Sequence, residues 1–474
     1  MIAFTLVNSN LPANSATIAQ PISITAGDNH TCALLSDKSV VCWGDDSLGQ
    51  LGDGTNQGSS TPVEVQGLGA VTSIAAGGNH TCAIKTNKTV ACWGSNSSGE
   101  LGDNTFNFRK LPVTVSGLSG IKQISAGRWN TCALTTDGYI YCWGNASRDI
   151  HVLGDYILNP SPIPVLMPNI SNAVNVGVGA GHICALLKDK TVWCWGSNVA
   201  GALGAEGPRN QFGDQITQIG NPIKVEGVAN VSSLSVGGSS NCVLIASKAK
   251  CWGDNMWGQT GIDRNKSWGS YIVISPESGR NDGLGLGLQD VQAGSWYYTC
   301  ALRKITELPG NNSLTCWGQD QFGVKLAIDP TVDSPIADHF LVGIMKMTVG
   351  LKHGCAILYD QTIKCWGDNL FGQLGNGKQA SLGATYVAGF STPQPGAATI
   401  SFSGAKAQVT ITGLPGTPYW IQVTQATSSK PSKVTLTKTT QVFSFNLKKG
   451  SVAVKVFTAN QLERSSFSKV GTIK

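Results

Sequence analysis

Cysteine is the residue with the most chemistry to offer in this chain, and its spacing pairs it. Seven cysteines stand immediately before Trp-Gly: Cys42, Cys92, Cys142, Cys194, Cys251, Cys316 and Cys365. Seven more precede them: Cys32, Cys82, Cys132, Cys184, Cys242, Cys300 and Cys355. In five pairs the separation is ten residues, centred on Asp37, Asn87, Asp137, Asp189 or Asp360. A hairpin of that length places the two residues directly opposite each other, about 4.5 Å apart at Cα, which a disulfide accepts. The fifth pair is one residue shorter, which predicts a different register; the sixth is six residues longer. Zinc sites favour short Cys-x2-Cys spacing with histidine nearby, and the sequence has no such pair. Buried free thiols are the other reading, but matched pairs with no remainder fit a disulfide framework better. The expected bridges are Cys32–Cys42, Cys82–Cys92, Cys132–Cys142, Cys184–Cys194, Cys242–Cys251, Cys300–Cys316 and Cys355–Cys365. Such a framework belongs in an oxidising, extracytoplasmic compartment.

Histidine recurs too. His30, His80, His182 and His353 occupy one position of a repeating pattern, where other copies carry Asn130, Ser240 and Tyr298. Equivalent positions of a ring of repeats are spread widely, which argues against a shared metal and for a backbone hydrogen bond. Asp45, Asp254 and Asp368, each after Trp-Gly, are read as Asx-turn residues and not calcium ligands. Gly372–Lys378 mimics a phosphate-loop spacing, but Gln379 stands where a Ser or Thr would hold magnesium. No nucleophile–base set or carboxylate pair is evident. The reading is therefore of a protein that is not an enzyme, with no cofactor and no metal.

The elements that must position these residues are short strands. Each copy has two β-prone runs around a Gly-containing turn, as in Ala126–Leu134 and Tyr139–Gly144. A polar turn and Gly-Gln-Leu-Gly follow, as at Gly49–Gly52, then a strand such as Pro62–Gln66. Four strands per unit of about fifty residues describe one propeller blade, and seven units a ring. Glycine five residues before the first cysteine (Gly27, Gly77, Gly127, Gly179, Gly237, Gly350) is expected to need positive φ. In the sixth copy Gly294 stands six before Cys300. The tryptophan after each second cysteine is expected between blades. The first copy is read as lacking its own Pro-Val-x-Val strand, so residues 385–390 are expected to cross back and pair beside Ile22–Thr25, closing the ring without a free edge.

Ala-Gly-x-x-His-Thr-Cys-Ala-Leu and Cys-Trp-Gly-x-Asn-x-x-Gly-Gln-Leu-Gly recur in order through residues 21–390. This grammar resembles the RCC1 repeat family, and the resemblance implies a seven-bladed β-propeller. The cysteine pairs depart from the family's intracellular members, so guanine-nucleotide exchange on Ran at chromatin is not carried over. The secreted bacterial branch, which includes a β-lactamase inhibitor protein, is the closer analogy.

The domains expected are an N-terminal extension (1–20), the propeller (21–390), a linker (391–396) and a small basic domain (397–474). The last has seven strand-like runs and is read as an immunoglobulin- or fibronectin-III-like sandwich. The fold class is all-β. Charge divides the same way: residues 391–474 carry nine Lys and one Arg against one acid, while residues 1–390 are net −3. No apolar run is long enough for a membrane span. The start is a poor secretory signal, so export requires one removed from, or upstream of, this numbering.

Copies four to six are irregular. Cys194 to Cys251 is 57 residues and Cys251 to Cys316 is 65, with extra chain at 206–221 and 262–290. Trp257, Trp268, Trp296, Tyr297 and Phe322 fall here and are the candidate binding residues, since loops on a rigid scaffold commonly carry recognition. At least one of Trp257, Trp296 and Tyr297 is expected to be well exposed. The sequence thus reads as a secreted or surface-displayed recognition protein. Its partner is a protein or a cell-surface polymer and not nucleic acid. A structural array subunit is the alternative, with head-to-tail self-association using Ile2–Val7; a carbohydrate-active enzyme ranks lower.

Overall fold

A computed structural model describes residues 19–146, 152–154, 159–205, 218–261, 287–294, 297–304, 312–318, 341, 343–380 and 382–390, together with the strand backbones between 398 and 473. Ile2–Val7, Trp268, Trp296, Phe322 and the linker 391–396 lie outside the described residues.

Seven antiparallel sheets follow one another around a ring. Blade one is Pro21–Ala26, His30–Leu35, Val40–Gly44 and Ser59–Glu64, in that order from the centre outward. Blades two, three, four and seven repeat this order; among the described residues, blades five and six show three strands. The first strand faces a central channel lined by Thr25, Gly27, Gly77, Gly127 and their equivalents.

The cysteine pairs lie opposite each other in all seven hairpins, with Cα atoms 4.0–4.1 Å apart and every cysteine bridged as expected. The fifth hairpin corrects one expectation: Cys242 still faces Cys251. The lost residue is absorbed in the turn. Blade one uses a three-residue turn with Lys38 at φ 73°, whereas blade five uses two residues, Ala246 and Ser247, both at positive φ. Such mirror-image two-residue turns match strand twist, so the register survives.

The conserved-looking tryptophans fill the seams, as expected. Trp43 packs among Cys355, Ile357 and Leu374 of blade seven, and Trp93 among Cys32, Leu34 and Leu51 of blade one. The pattern continues to Trp366, which packs among Cys300, Leu302 and Leu314 of blade six. The indole N–H groups of Trp43, Trp93, Trp143, Trp195, Trp252 and Trp317 also meet a carbonyl in the preceding blade's turn at the Gly-Gln-Leu-Gly position: Trp93 Nε1 donates to Gln50 O at 2.9 Å and Trp143 Nε1 to Glu100 O at 2.7 Å. A buried polar group needs such a partner.

Ring closure differs from the sequence expectation. Leu382–Tyr386 pairs with Ile363–Gly367 as the outer strand of blade seven, not with Ile22–Thr25. Ser59–Glu64, containing Pro62 and Val63, is likewise the outer strand of blade one. The repeat is in phase with the blade, so no strand is exchanged. Blade seven meets blade one through the contacts other seams use. Trp43 Nε1 donates to Gln373 O at 2.9 Å, Ala26 N to Thr348 Oγ1 at 3.1 Å and Gly377 N to Ser60 O at 2.8 Å.

The glycines near the channel also need correction. Gly27, Gly77, Gly127, Gly179, Gly237 and Gly350 are absent from the positive-φ residues. They are glycine because there is no room. A Cβ on Gly77 would collide with the Gly127 carbonyl oxygen and the His80 ring, and a Cβ on Gly27 with the Gly77 carbonyl oxygen. Close approach of neighbouring backbones is glycine's other use.

Residues 398–473 form two further sheets. One is Ala398–Ser403, Lys406–Thr412 and Thr440–Asn446. The other orders Pro431–Thr435, Pro418–Gln425, Gly450–Thr458 and Phe467–Ile473.

Candidate interaction face

In an antiparallel blade, the turn after the first strand and the connection after the third emerge on one face; the hairpin turn and the link to the next blade emerge on the other. The first face is built from Asp28–Asn29 and its equivalents, together with the turns that follow Cys-Trp-Gly. The two are tied together, since Asp45 N donates to Asn29 O and Asp254 N to Ser239 O.

These turns are rigid for local reasons. Their first residue caps the turn, as expected of an Asx-turn: Asp45, Asp254 and Asp368 accept from Ser47 N, Met256 N and Leu370 N. Their second residue accepts from the backbone five residues on, as Asn96 Oδ1 does from Leu101 N at 2.9 Å. The Asn96 amide also donates to Thr105 O and Asn107 O, and the Asn369 amide to Lys378 O and Ala380 O. Blade one carries Asp46 instead, fully buried. Burial pushes its carboxyl up to about 6, with Asp53 and Asp45 adding to the effect, against the hydrogen bonds from Leu51 and Thr55. Asp46 supplies no N–H to the loop that asparagine binds in blades two and seven.

The tips of these turns carry apolar side chains. Trp257 is equivalent to Phe371, Leu48, Ser98 and Ala200 in the repeat, and Met256 to Leu370 and Val199. Leu370 is 67% exposed, Val199 61%, and Met256 and Phe371 each 43%. Trp129 adds an exposed indole, with the Arg128 guanidinium 4.7 Å from its ring centroid. Trp257 and Tyr297 are half-buried, their rings 6.0 Å apart and tilted by 57°. These two candidate residues are therefore brought together, though neither stands fully clear of the blade. Trp129, Val199 and Met256 border a pocket of about 460 Å³ between blades three, four and five, whose floor includes His182 and Ala202. Sequence reasoning missed Val199, Met256, Leu370 and Phe371 because it followed irregular lengths. Reading down the repeat column of Trp257 was the signal that finds them.

The histidines lie beneath this face, inside the seams. His30 Nε2 meets Thr81 Oγ1 of the next blade at 2.8 Å, His80 meets Thr131, and His353 meets Thr31 across the closure. His182 meets Asn241 Oδ1. The expected partner was backbone; the observed one for the histidines is a neighbouring side chain, whereas Asn130 reaches backbone, at Asn145 O. Thr81 Oγ1 gives its single proton to Gln50 O, so it must accept from His30, which places the imidazole proton on Nε2. Nδ1 of His30, His80 and His353 is buried without a partner. Burial holds His30 and His182 down to about 4, and His80 and His353 to about 3. These are neutral structural histidines. Among the described residues no group of three or more His, Cys, Asp or Glu is placed to hold a metal, and no helix is long and apolar enough to cross a membrane.

The repeats match a known family description. Residues 22–50, 71–100, 121–148, 173–202 and 346–373 match the regulator of chromosome condensation (RCC1) repeat in one form, and 39–84 and 89–134 in another. The chain thus carries RCC1 repeats on a seven-bladed all-β propeller. Prp20p of Saccharomyces cerevisiae, whose structure was solved alongside its binding to Gsp1p and histones, superposes with a TM-score of 0.63 at 20% identity, over 81% of this chain and 90% of that one. Yeast RCC1 (Prp20) bound to Kap60 gives 0.63 at 18% identity, over 85% and 94%. Human WBSCR16 gives 0.60 at 19%, over 76% and 94%. At these identities the likeness is one of fold. The E3 ubiquitin-protein ligase HERC2 of Homo sapiens and that of Mus musculus are each 27% identical over 207 residues, which is 43% of this chain and 4% of those proteins' length.

Proposed function

We propose that this chain is a secreted or surface-displayed protein-binding propeller, and that the apolar tip face engages the partner. The observation that carries the reading is the set of exposed apolar side chains, Leu370, Phe371, Val199 and Met256, held on turns rigidified by buried Asx caps. Exposed apolar side chains on a rigid scaffold serve as anchors at interaction sites, and aromatic anchors dominate their energetics. Neighbours of the same fold that bind Gsp1p, histones or Kap60 support a binding role. Seven bridged cysteine pairs support an extracellular setting. By sequence, Phe322 holds the repeat position of Trp257 and Phe371, and it is proposed with Trp268 and Trp296 as a further binding residue.

The basic C-terminal unit is read as an immunoglobulin- or fibronectin-III-like domain that anchors or spaces the propeller. Its three-plus-four strand order and its nine excess positive charges support this reading.

The test is affinity capture from the native extracellular fraction with the natural chain and a Met256→Ser/Phe371→Ser variant. The natural chain should retain a partner that the variant loses by about tenfold or more, the effect of removing a central anchor. Equal retention by both would remove the tip face from the mechanism.

A further inference from the structure

The opposite face carries a second site, at the link between blades three and four. In most links the chain turns through glycine: Gly67 and Gly69 before blade two, Gly117 and Gly120 before blade three, all at positive φ. Before blade four the positions of Gly117 and Gly120 hold Asn169 and Asn172, at φ 57° and 58°, and before blade five Asn230 holds the second of them at φ 57°. Two side-chain amides thus stand where glycine is conformationally cheaper, one N–H of Asn169 being engaged by Asn221 Oδ1 at 3.1 Å. Beside them is a pocket of about 550 Å³ lined further by Ile170, Ser171, Leu187, Lys188, Asp189 and Trp193.

Trp193 is the odd residue of its column. Its strand position pairs with Ala185, and the equivalent residues are Val41, Ala91, Tyr141, Lys250, Thr315 and Lys364. Its indole N–H is satisfied by Thr191 Oγ1 at 3.2 Å, so the half-buried ring offers the pocket its apolar surface. Asp189 gives one carboxylate oxygen to Thr191 N and Oγ1. Those hydrogen bonds hold its pKa below the usual range, so it is an anion at neutral pH. Lys188 beside it is exposed and offsets that charge.

The geometry points to a saccharide subsite here, for a neutral hexopyranose unit of a polymer. A pyranose has an apolar C–H face that stacks on an aromatic ring. Its edge is lined with hydroxyls, each of which both donates and accepts. Amides supply donors and acceptors together, and the Lys188–Asp189 pair adds one of each with no net charge. An acidic or phosphorylated ligand would need an excess of cations that the pocket lacks. The apolar lining is confined to Trp193, Leu187 and the buried Ile170, and the rest is polar, which suits a sugar ring better than an apolar peptide side chain.

Calorimetric titration of the full chain with cellohexaose, chitohexaose and mannohexaose tests the assignment. At least one should bind, in the millimolar range or tighter. Trp193→Ala should weaken it about tenfold, roughly 1.4 kcal/mol. Asn172→Gly installs the residue that the link before blade three carries as Gly120, so the fold is preserved, and it too should weaken binding several-fold. Phe371→Ser, on the opposite face, should leave it unchanged. Failure of all three sugars to bind, or binding that both pocket variants retain, would overturn the proposal. Binding abolished by Phe371→Ser would relocate it and overturn it equally.

Discussion

The seams between blades fall into two kinds, and the contrast shows what the repeat needs and what it merely uses. The seams seven–one, one–two and two–three each hold a buried histidine bonded to a threonine of the next blade, and four–five holds His182 bonded to Asn241. Seams three–four, five–six and six–seven do without: the threonine is replaced by Ile183 in the first and Gly354 in the last. Both kinds keep the seam tryptophan, buried to 3% exposure or less throughout. Tryptophan is thus the common fastening, and histidine is a local addition that makes four seams sensitive to acid.

The largest effect that could break this comparison is loss of the tryptophan. Trp93→Ala should cost about 3–5 kcal/mol in denaturant unfolding, the usual loss for a buried aromatic. Trp43→Ala, at the closure seam, should cost the same. A much smaller loss there would mean that closure depends on something other than the repeated contact.

Acid sharpens the contrast next. A histidine whose folded pKa lies below its unfolded value of about 6.5 leaves the unfolded chain binding more protons between the two. Stability is therefore complete above pH 6.5 and declines as pH falls toward 4 to 3, where His30, His182, His80 and His353 titrate in the fold. By pH 5 each would have lost about 2 kcal/mol, from 1.4 kcal/mol per pH unit. A His30→Asn/His80→Asn/His353→Asn variant should show a melting temperature much flatter with pH across this range. An equally steep decline would place the acid sensitivity elsewhere.

Asp46 runs the other way. Its folded pKa is raised, so whatever stability it contributes is present below about 4 and lost as pH rises through about 6. Asp46→Asn would restore the donor that blades two and seven possess. It should stabilise by about 1 kcal/mol, the usual net worth of a hydrogen bond, with the gain largest above pH 6 and smallest below pH 4. Thermal scans at pH 4 and pH 7.5 would read this directly.

The smallest effect belongs to the tips. Leu370→Ser and Phe371→Ser should leave unfolding within about 0.5 kcal/mol, as exposed sites do. A larger loss would show that these residues pack within the disc and are unavailable to a partner.

What the amino-acid sequence determined by itself is everything that lives inside one repeat. Cysteine pairing, Asx-capped turns, the number of blades and the hairpin register of every copy but the fifth depend on residues about ten to fifty apart, and repetition averages away the noise of any one copy. The seven strands after residue 397 were legible for the same reason: short β-prone runs separated by turn residues. Tertiary structure alone decided what happens between repeats. The phase of a repeat is arbitrary along the chain, so only the closed ring shows that Leu382–Tyr386 completes its own blade. The channel glycines look like turn residues until a neighbouring backbone is seen to occupy the space of their Cβ. His30 finds Thr81 fifty-one residues away because blades stack side by side, and no local pattern encodes that contact. Trp257 and Phe371 share a position in sequence, but one leans on Tyr297 and the other stands out in solvent, and burial of that kind is set by neighbours the chain reaches only by folding.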